Sequence, residues 1–276
     1  MLRSILIGLD GSDDGASALD LGLRWAKDGD ALLIGIAVVD EPGILDSGSV
    51  LLADAHHRSD GALLIVEARR QAGELVRDFG RRCDEEGVRC RIMSEAGTPY
   101  VEILAEAQRC DLIILGRRTH FEHGSRGQPD ETLTQVLRDS PRPVVAVPRT
   151  PAGGEAVVIA YDGSLQASRT LYAFEASGLA HSRTVHIVSI AHHRSEAVAL
   201  ANRAVDFLQT HDIEAHCHPV ESRLAPGEEI GEKVYSLDAG LLVMGAYGRP
   251  TLAEFFLGSV TRTLVGSIPV PIFCTH

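Results

Sequence analysis

Lysine is nearly missing from this chain. Among 26 basic residues only Lys27 and Lys233 are lysines, so the remaining positive charge is arginine. No G-x4-G-K-[ST] segment occurs and neither lysine falls near a glycine-rich loop, which excludes an ordinary P-loop ATPase. A G-x-S-x-G nucleophile elbow is absent as well. The five cysteines are scattered, with no C-x-x-C pair, as expected of reduced thiols rather than a disulfide framework. No apolar run reaches the ~18 residues that would span a bilayer. The opening Met1–Asp10 segment turns acidic too early for a signal peptide and has the character of a strand, so a cytoplasmic location is expected. Positive charge is also in deficit: 38 acidic against 26 basic residues gives a net charge of −12. Such a surface repels nucleic-acid backbones and anionic membranes, and neither is expected as a partner.

What is present is an internal repeat. The 276 residues suit two domains of ordinary size. Ser4–Ser12 (SILIGLDGS) and Ala156–Ser164 (AVVIAYDGS) are both apolar strands running into Asp-Gly-Ser. Asp111–Gly116 parallels Gly240–Gly245, and Ser140–Val147 parallels Ser267–Cys274. Pro148–Gly154 is a Pro/Gly-marked join, so the domains are expected at 1–148 and 155–276. Strand and helix patterns alternate within a repeat. In the first, strands are expected at 5–9, 31–39, 88–94, 112–116 and 144–147, with helices following Ser12 or Asp13 and over about 61–86, 99–108 and 133–140. An acidic, histidine-containing stretch before residue 61 carries no assigned element. Continuously apolar strands with intervening helices predict doubly wound parallel sheets. Ligands bind such sheets beyond the carboxyl ends of the strands, where Asp162, Val188–Ser189 and Gly245 are expected.

The second repeat carries Gly245-Ala246-Tyr247-Gly248, nine further residues, then Gly258-Ser259-Val260-Thr261 at a predicted helix start: G-x2-G-x9-G-S. Glycines let backbone approach a ligand closely, and a helix start with free amides and adjacent hydroxyls attracts an anion. Arg249 and Arg262 add positive charge, unless they are simply solvated. In the first repeat the corresponding loop is two residues longer. Thr119 falls at the position of Gly248, Glu131 at that of Gly258 and Thr132 at that of Ser259. A β-branched residue resists positive φ, and a carboxylate repels phosphate, so tight triphosphate binding is not expected there. Asp10 reads as a turn cap. The histidines, including His216-Cys217-His218, read as surface or capping residues, since no second ligand pair has zinc spacing. No residue stands out as a general base, and no catalytic or metal-ligating set is assigned.

With the strand-Asp-Gly-Ser starts, the G-x2-G-x9-G-S loop and the terminal Ser-x-Pro-Val strand, the chain resembles the universal stress protein family in its tandem two-domain form, over essentially its whole length. The resemblance implies two Rossmann-like domains forming a pseudo-dimer through their last strands, 143–147 and 269–274. It also implies ATP, with Mg²⁺, in the second domain. Asp162 and Gly163 would lie by the adenosine and Val188 or Ser189 would contact adenine through backbone. Met244, Gly245, Tyr247, Gly248, Gly258, Ser259, Val260 and Thr261 would hold ribose and phosphates. The expected role is stress-response regulation by nucleotide occupancy, with a possible homodimer. The alternatives are a slow ATPase or nucleotide-dependent transferase at the same site, or a scaffold that binds no nucleotide.

Overall fold

The computed structural model describes residues 1–49, 55–121, 130–246, 264 and 266–276; for 47–49 and 55–60 the backbone alone is described. The elements are β1 (Ser4–Gly8), α1 (Asp13–Gly29), β2 (Leu32–Val39), α2 (Glu41–Ser49), α3 (Ala55–Glu86), β3 (Cys90–Ala96), α4 (Pro99–Ala107), β4 (Leu112–Gly116), α5 (Thr132–Asp139), β5 (Val144–Val147), β6 (Ala156–Ala160), α6 (Leu165–Ser177), β7 (Val185–Ala191), α7 (Arg194–Gln209), β8 (Ala215–Glu221), α8 (Pro226–Ser236), β9 (Ala239–Gly245) and β10 (Ile272–Thr275).

Two compact units result, Leu2–Arg142 and Pro143–His276 together with Met1. In the first, the strands lie in the order β3-β2-β1-β4, all parallel. In the second, β9, β6, β7 and β8 are parallel neighbours, β10 runs parallel to β9, and β5 pairs antiparallel with β10 through Ile272↔Ala146 and Cys274↔Val144. The compact units divide before β5, whereas the two sequence repeats meet at the Pro/Gly join. The final strands of both repeats, one of them grouped by sequence with the first domain, lie side by side in the second unit. The central strands are apolar throughout because helices cover them. Ile5, Leu6 and Ile7 are fully buried, as are Val157 and Val158. Phe174 of α6 meets Phe273 of β10 edge-to-face, with ring centroids 5.9 Å apart, and the pair locks helix to sheet.

Several boundaries differ from the sequence expectation. Helix α3 begins at Ala55, not near 61. Helix α2 arises in the stretch left without an element: the Asp40 carboxylate accepts from Gly43 N–H at 3.0 Å, and Pro42 sits in the first turn, where its missing N–H costs nothing. Strand β3 starts at Cys90 because Gly87, at φ 68°, and Val88 close the end of α3, with Val88 N–H donating to Cys83 O at 2.8 Å. The last strand runs over Ile272–Thr275, not 269–274, leaving Pro269 and Pro271 before it.

Candidate functional site

The Asp-Gly-Ser segments form the same turn twice. Asp10 Oδ1 accepts from Ser12 N–H at 3.0 Å, and Asp162 Oδ1 from Ser164 N–H at 2.9 Å. Gly11 and Gly163 sit at φ 71° and 74°, a left-handed conformation that costs a side-chain-bearing residue about 1–2 kcal/mol. Ser12 and Ser164 then cap α1 and α6, accepting from Gly15 N–H at 2.9 Å and Ala167 N–H at 3.1 Å. A Cβ on Gly163 would also meet Leu200 of α7 at 2.7 Å. Each aspartate is thereby held at the carboxyl end of the first strand of its repeat.

The surroundings of the two aspartates differ. Asp10 is saturated. It accepts from the Ser12 hydroxyl at 2.8 Å and from His120 N–H at 2.8 Å, and burial pushes its carboxyl above the usual range despite those bonds. Asp162 is exposed, and among the described residues its only partner is Ser164 N–H. Among the described residues the carboxylate of the second repeat keeps an oxygen free, while the one in the first is tied to its own loop.

The glycines ending β4 and β9 have a packing role. A Cβ on Gly116 would lie 2.7 Å from Gly15 N and 2.8 Å from Asp14 C in the first turn of α1. A Cβ on Gly245 would lie 2.7 Å from Ala167 N and 2.8 Å from Gln166 C in α6. At both places the lack of a side chain lets a helix start press against a strand end. Sequence reasoning assigned Gly245 to phosphate approach and did not see this contact.

Val188 and Ser189, the positions expected at the end of the second strand, are engaged with Tyr161. Val188 O accepts from Tyr161 N–H at 2.9 Å, and the buried Ser189 hydroxyl donates to Tyr161 O at 2.7 Å. Strand β7 continues to Ala191, whose carbonyl accepts from Ser222 N–H of the chain beyond β8. Pairing with β6 stops at Ala160↔Val188. The pleat alternation therefore turns the N–H and C=O of Ile190 toward the edge that β6 has left. Val188 is spent within the sheet, and Ile190, which sequence reasoning missed, presents the open backbone. Met244 is buried at the end of β9. Tyr247, Gly248, Gly258, Ser259, Val260 and Thr261 lie outside the described residues.

In the first repeat an acid other than Glu131 holds the loop. Asp130 accepts from Thr132 N–H at 2.8 Å and from Phe121 N–H at 2.6 Å, placing a carboxylate at the start of α5. Glu131 is the N-cap residue but makes no side-chain cap bond. Arg118 donates to the buried Asp14 through its guanidinium and its N–H. The hydroxyls of Thr119 and Thr132 are buried without a hydrogen-bond partner among the described residues. Among the described residues no group of three or more His, Cys, Asp or Glu could hold a metal ion. The neighbours His186, His216 and His218 face one another across β7 and β8, with His186 Nδ1 3.0 Å from His218 Nε2.

Together, two serial parallel α/β units and one strand-turn-cap motif used twice define a tandem doubly wound protein with its candidate site at the strand ends. The model of the universal stress protein family matches residues 1–148 and 155–276, and the chain belongs to that family. It is 26% identical over 165 residues to universal stress protein Slr1230 of Synechocystis sp.; the match covers 59% of this chain and 56%, just over half, of that relative. A universal stress protein from Archaeoglobus fulgidus superposes over 99% of this chain and 97% of its own, at a TM-score of 0.72 and 22% identity. A universal stress protein structure from Pseudomonas aeruginosa covers 99% and 93%, at 0.60 and 18%. At these identities the structural likeness speaks for the fold. Among the described residues no helix is long and apolar enough to cross a membrane.

Proposed function

We propose that the chain is an adenine-nucleotide-binding regulatory protein that holds ATP, with Mg²⁺, in its second repeat and no triphosphate in its first. The observation that carries this reading is the contrast between Asp162, exposed and with one carboxylate oxygen unengaged among the described residues, and Asp10, bonded to its own loop. Asp162 would accept from a ribose hydroxyl or face a hydrated cation. Gly163 leaves a cradle that a Cβ would fill, and Ile190 offers one backbone donor and one acceptor for an adenine edge. The G-x2-G-x9-G-S segment, through Tyr247, Gly248 and Gly258 to Thr261, would supply amides and hydroxyls to the phosphates, with Met244 and Gly245 at the strand end behind them. In the first repeat the Asp130 carboxylate already occupies the helix start where a phosphate would be drawn.

Occupancy would act by favouring one state of a surface or contact that nucleotide binds better. Equilibrium titration of the full chain with a fluorescent ATP analogue tests the reading. One site per chain is expected, lost in Gly258→Glu and weakened at least tenfold in Asp162→Ala. No binding, two equal sites, or equal binding by Gly258→Glu would reject it. Phosphate release over hours, abolished in Ser259→Ala, would turn the site into that of a slow hydrolase.

A further inference from the structure

Helix α3 passes into strand β3 through a tight turn with a cysteine on each side. Gly87 N–H donates to Asp84 O at 3.2 Å and Val88 N–H to Cys83 O at 2.8 Å, with Gly87 at φ 68°. This paired closure is a Schellman turn, and it folds the chain back over the end of the helix. Cys83 lies in that end and is fully buried. Cys90 opens β3, in register with Leu33 of β2, and is half-buried.

The two side chains face each other. A Cβ on Gly80 would lie 3.0 Å from Ile92 Cδ1, so Ile92 faces α3. Alternation along the strand puts Cys90, two residues earlier, on the same face. Cys83, three residues after Gly80, continues the same face of the helix toward the turn. The Cys90 side chain is within hydrogen-bonding reach of the Cys83 thiol, and burial together with Cys90 pushes that thiol up to about 12.

The fold does not require this pair. The second repeat builds the same turn after α7. There Asp212 N–H donates to Gln209 O at 3.1 Å and Ile213 N–H to Leu208 O at 3.0 Å, with Asp212 at φ 59°. Leu208 stands where Cys83 does, and Ala215, in register with Val185, stands where Cys90 does.

We propose that Cys83 and Cys90 form a redox modification site, a dithiol that hydrogen peroxide closes to a disulfide between α3 and β3. Cys90, the reachable sulfur, attacks one peroxide oxygen as its thiolate. The O–O bond breaks, and the departing hydroxide takes a proton and leaves as water. The Cys83 sulfur then attacks the sulfur of the Cys90 sulfenic acid and gives up its proton, and the sulfenic oxygen leaves as a second water. Two thiols lose two protons and two electrons, and one peroxide becomes two waters. Cys83, buried and held protonated, has the sheltered place of the resolving thiol rather than of the first attacker. Among the described residues β3 is hydrogen-bonded to β2 alone, which leaves it free to shift as the sulfurs close to about 2.05 Å. The site lies in the repeat to which no nucleotide is assigned and is independent of the ATP reading.

The test is peroxide treatment of the native, fully reduced chain, followed by blocking with N-ethylmaleimide in denaturant and tryptic mass mapping. Peptides 83–89 and 90–91 are expected as one disulfide-joined species, or as uncleaved 83–91 short of two hydrogens. The five thiols of the chain should fall by two and return with dithiothreitol. Cys83→Ala should leave a Cys90 sulfenic acid that dimedone captures, and Cys90→Ser should leave Cys83 unoxidised. Both cysteines blocked in full yield after peroxide, Cys90 joined to another chain instead, or cross-linking absent while Cys90 overoxidises would overturn the proposal. If Cys83→Ala does not fold, the wild-type cross-link and the unoxidised Cys83 of Cys90→Ser decide.

Discussion

Phe121 donates its backbone N–H to Asp130 at 2.6 Å, and the same carboxylate accepts from Thr132 at the start of α5. One side chain therefore bonds both flanks of the first-repeat loop, a helix-start amide among them. Asp130→Ala should lower stability by about 1–3 kcal/mol, the cost of leaving such groups unmet, and Asp130→Asn by less because one acceptor oxygen remains. Urea unfolding of the two variants checks the order. Equal midpoints for wild type and Asp130→Ala would show that the carboxylate is dispensable.

The unpartnered Thr132 hydroxyl makes the opposite prediction. It is buried with no acceptor or donor among the described residues. Replacing it with a methyl of the same shape removes a desolvated polar atom and leaves the backbone bond to Asp130 intact. Thr132→Val should be neutral or raise the unfolding free energy by up to about 1 kcal/mol. A loss greater than about 1 kcal/mol would mean the hydroxyl has a partner in the native state.

Gly116 and Gly245 should respond alike to substitution. Each would drive a methyl into helix backbone at 2.7 Å, where no side chain can swing aside. Gly116→Ala and Gly245→Ala should each cost about 1–3 kcal/mol, the range for overpacking. Calorimetry of both measures this. In Gly245→Ala the displaced start of α6 should also weaken ATP binding, whereas Gly116→Ala should leave it unchanged.

Acid should destabilise the second repeat through its histidine cluster. Burial and the neighbouring imidazoles hold His186 below its ordinary value, and burial, Lys233 and His216 do the same to His218. Groups depressed on folding take up protons first in the unfolded chain, so this contribution is complete above about pH 6.5 and falls as pH drops toward the lower folded values. Urea midpoints should therefore fall between about pH 7 and pH 5.5. His218→Gln, which removes one titrating ring and keeps a hydrogen-bonding group, should flatten that slope. An unchanged slope would assign the acid sensitivity to other groups.

The parts of this molecule that were legible in its sequence are those written in local chemistry. Asp-Gly-Ser encodes an aspartate-capped turn, a left-handed glycine and a helix cap within three residues, and the apolar runs at Leu112–Leu115 and Leu241–Met244 announce covered strands. What was not legible depends on partners distant in sequence. Strand β7 outlasts its neighbour β6 by pairing with β8, so backbone facing the edge that β6 has left lies at Ile190. Glu131 looked like the intruding charge because it aligned with a glycine, yet Asp130 reaches the amides. Gly245 has a reason to be glycine in its contact with α6, visible only once the helix is in place. Asp40-Glu41-Pro42 was a helix-start signal, hidden by the polar stretch behind it.

The antiparallel pairing of Val144–Val147 with β10 also dictates where the chain can be cut. A fragment starting at residue 155 would strip β10 of that neighbour and bare a row of unpaired amides and carbonyls, a template for association between copies. A fragment starting at Pro143 carries its own cover. Fragments of the second half intended to stay monomeric should therefore begin a dozen residues upstream of the apparent repeat boundary.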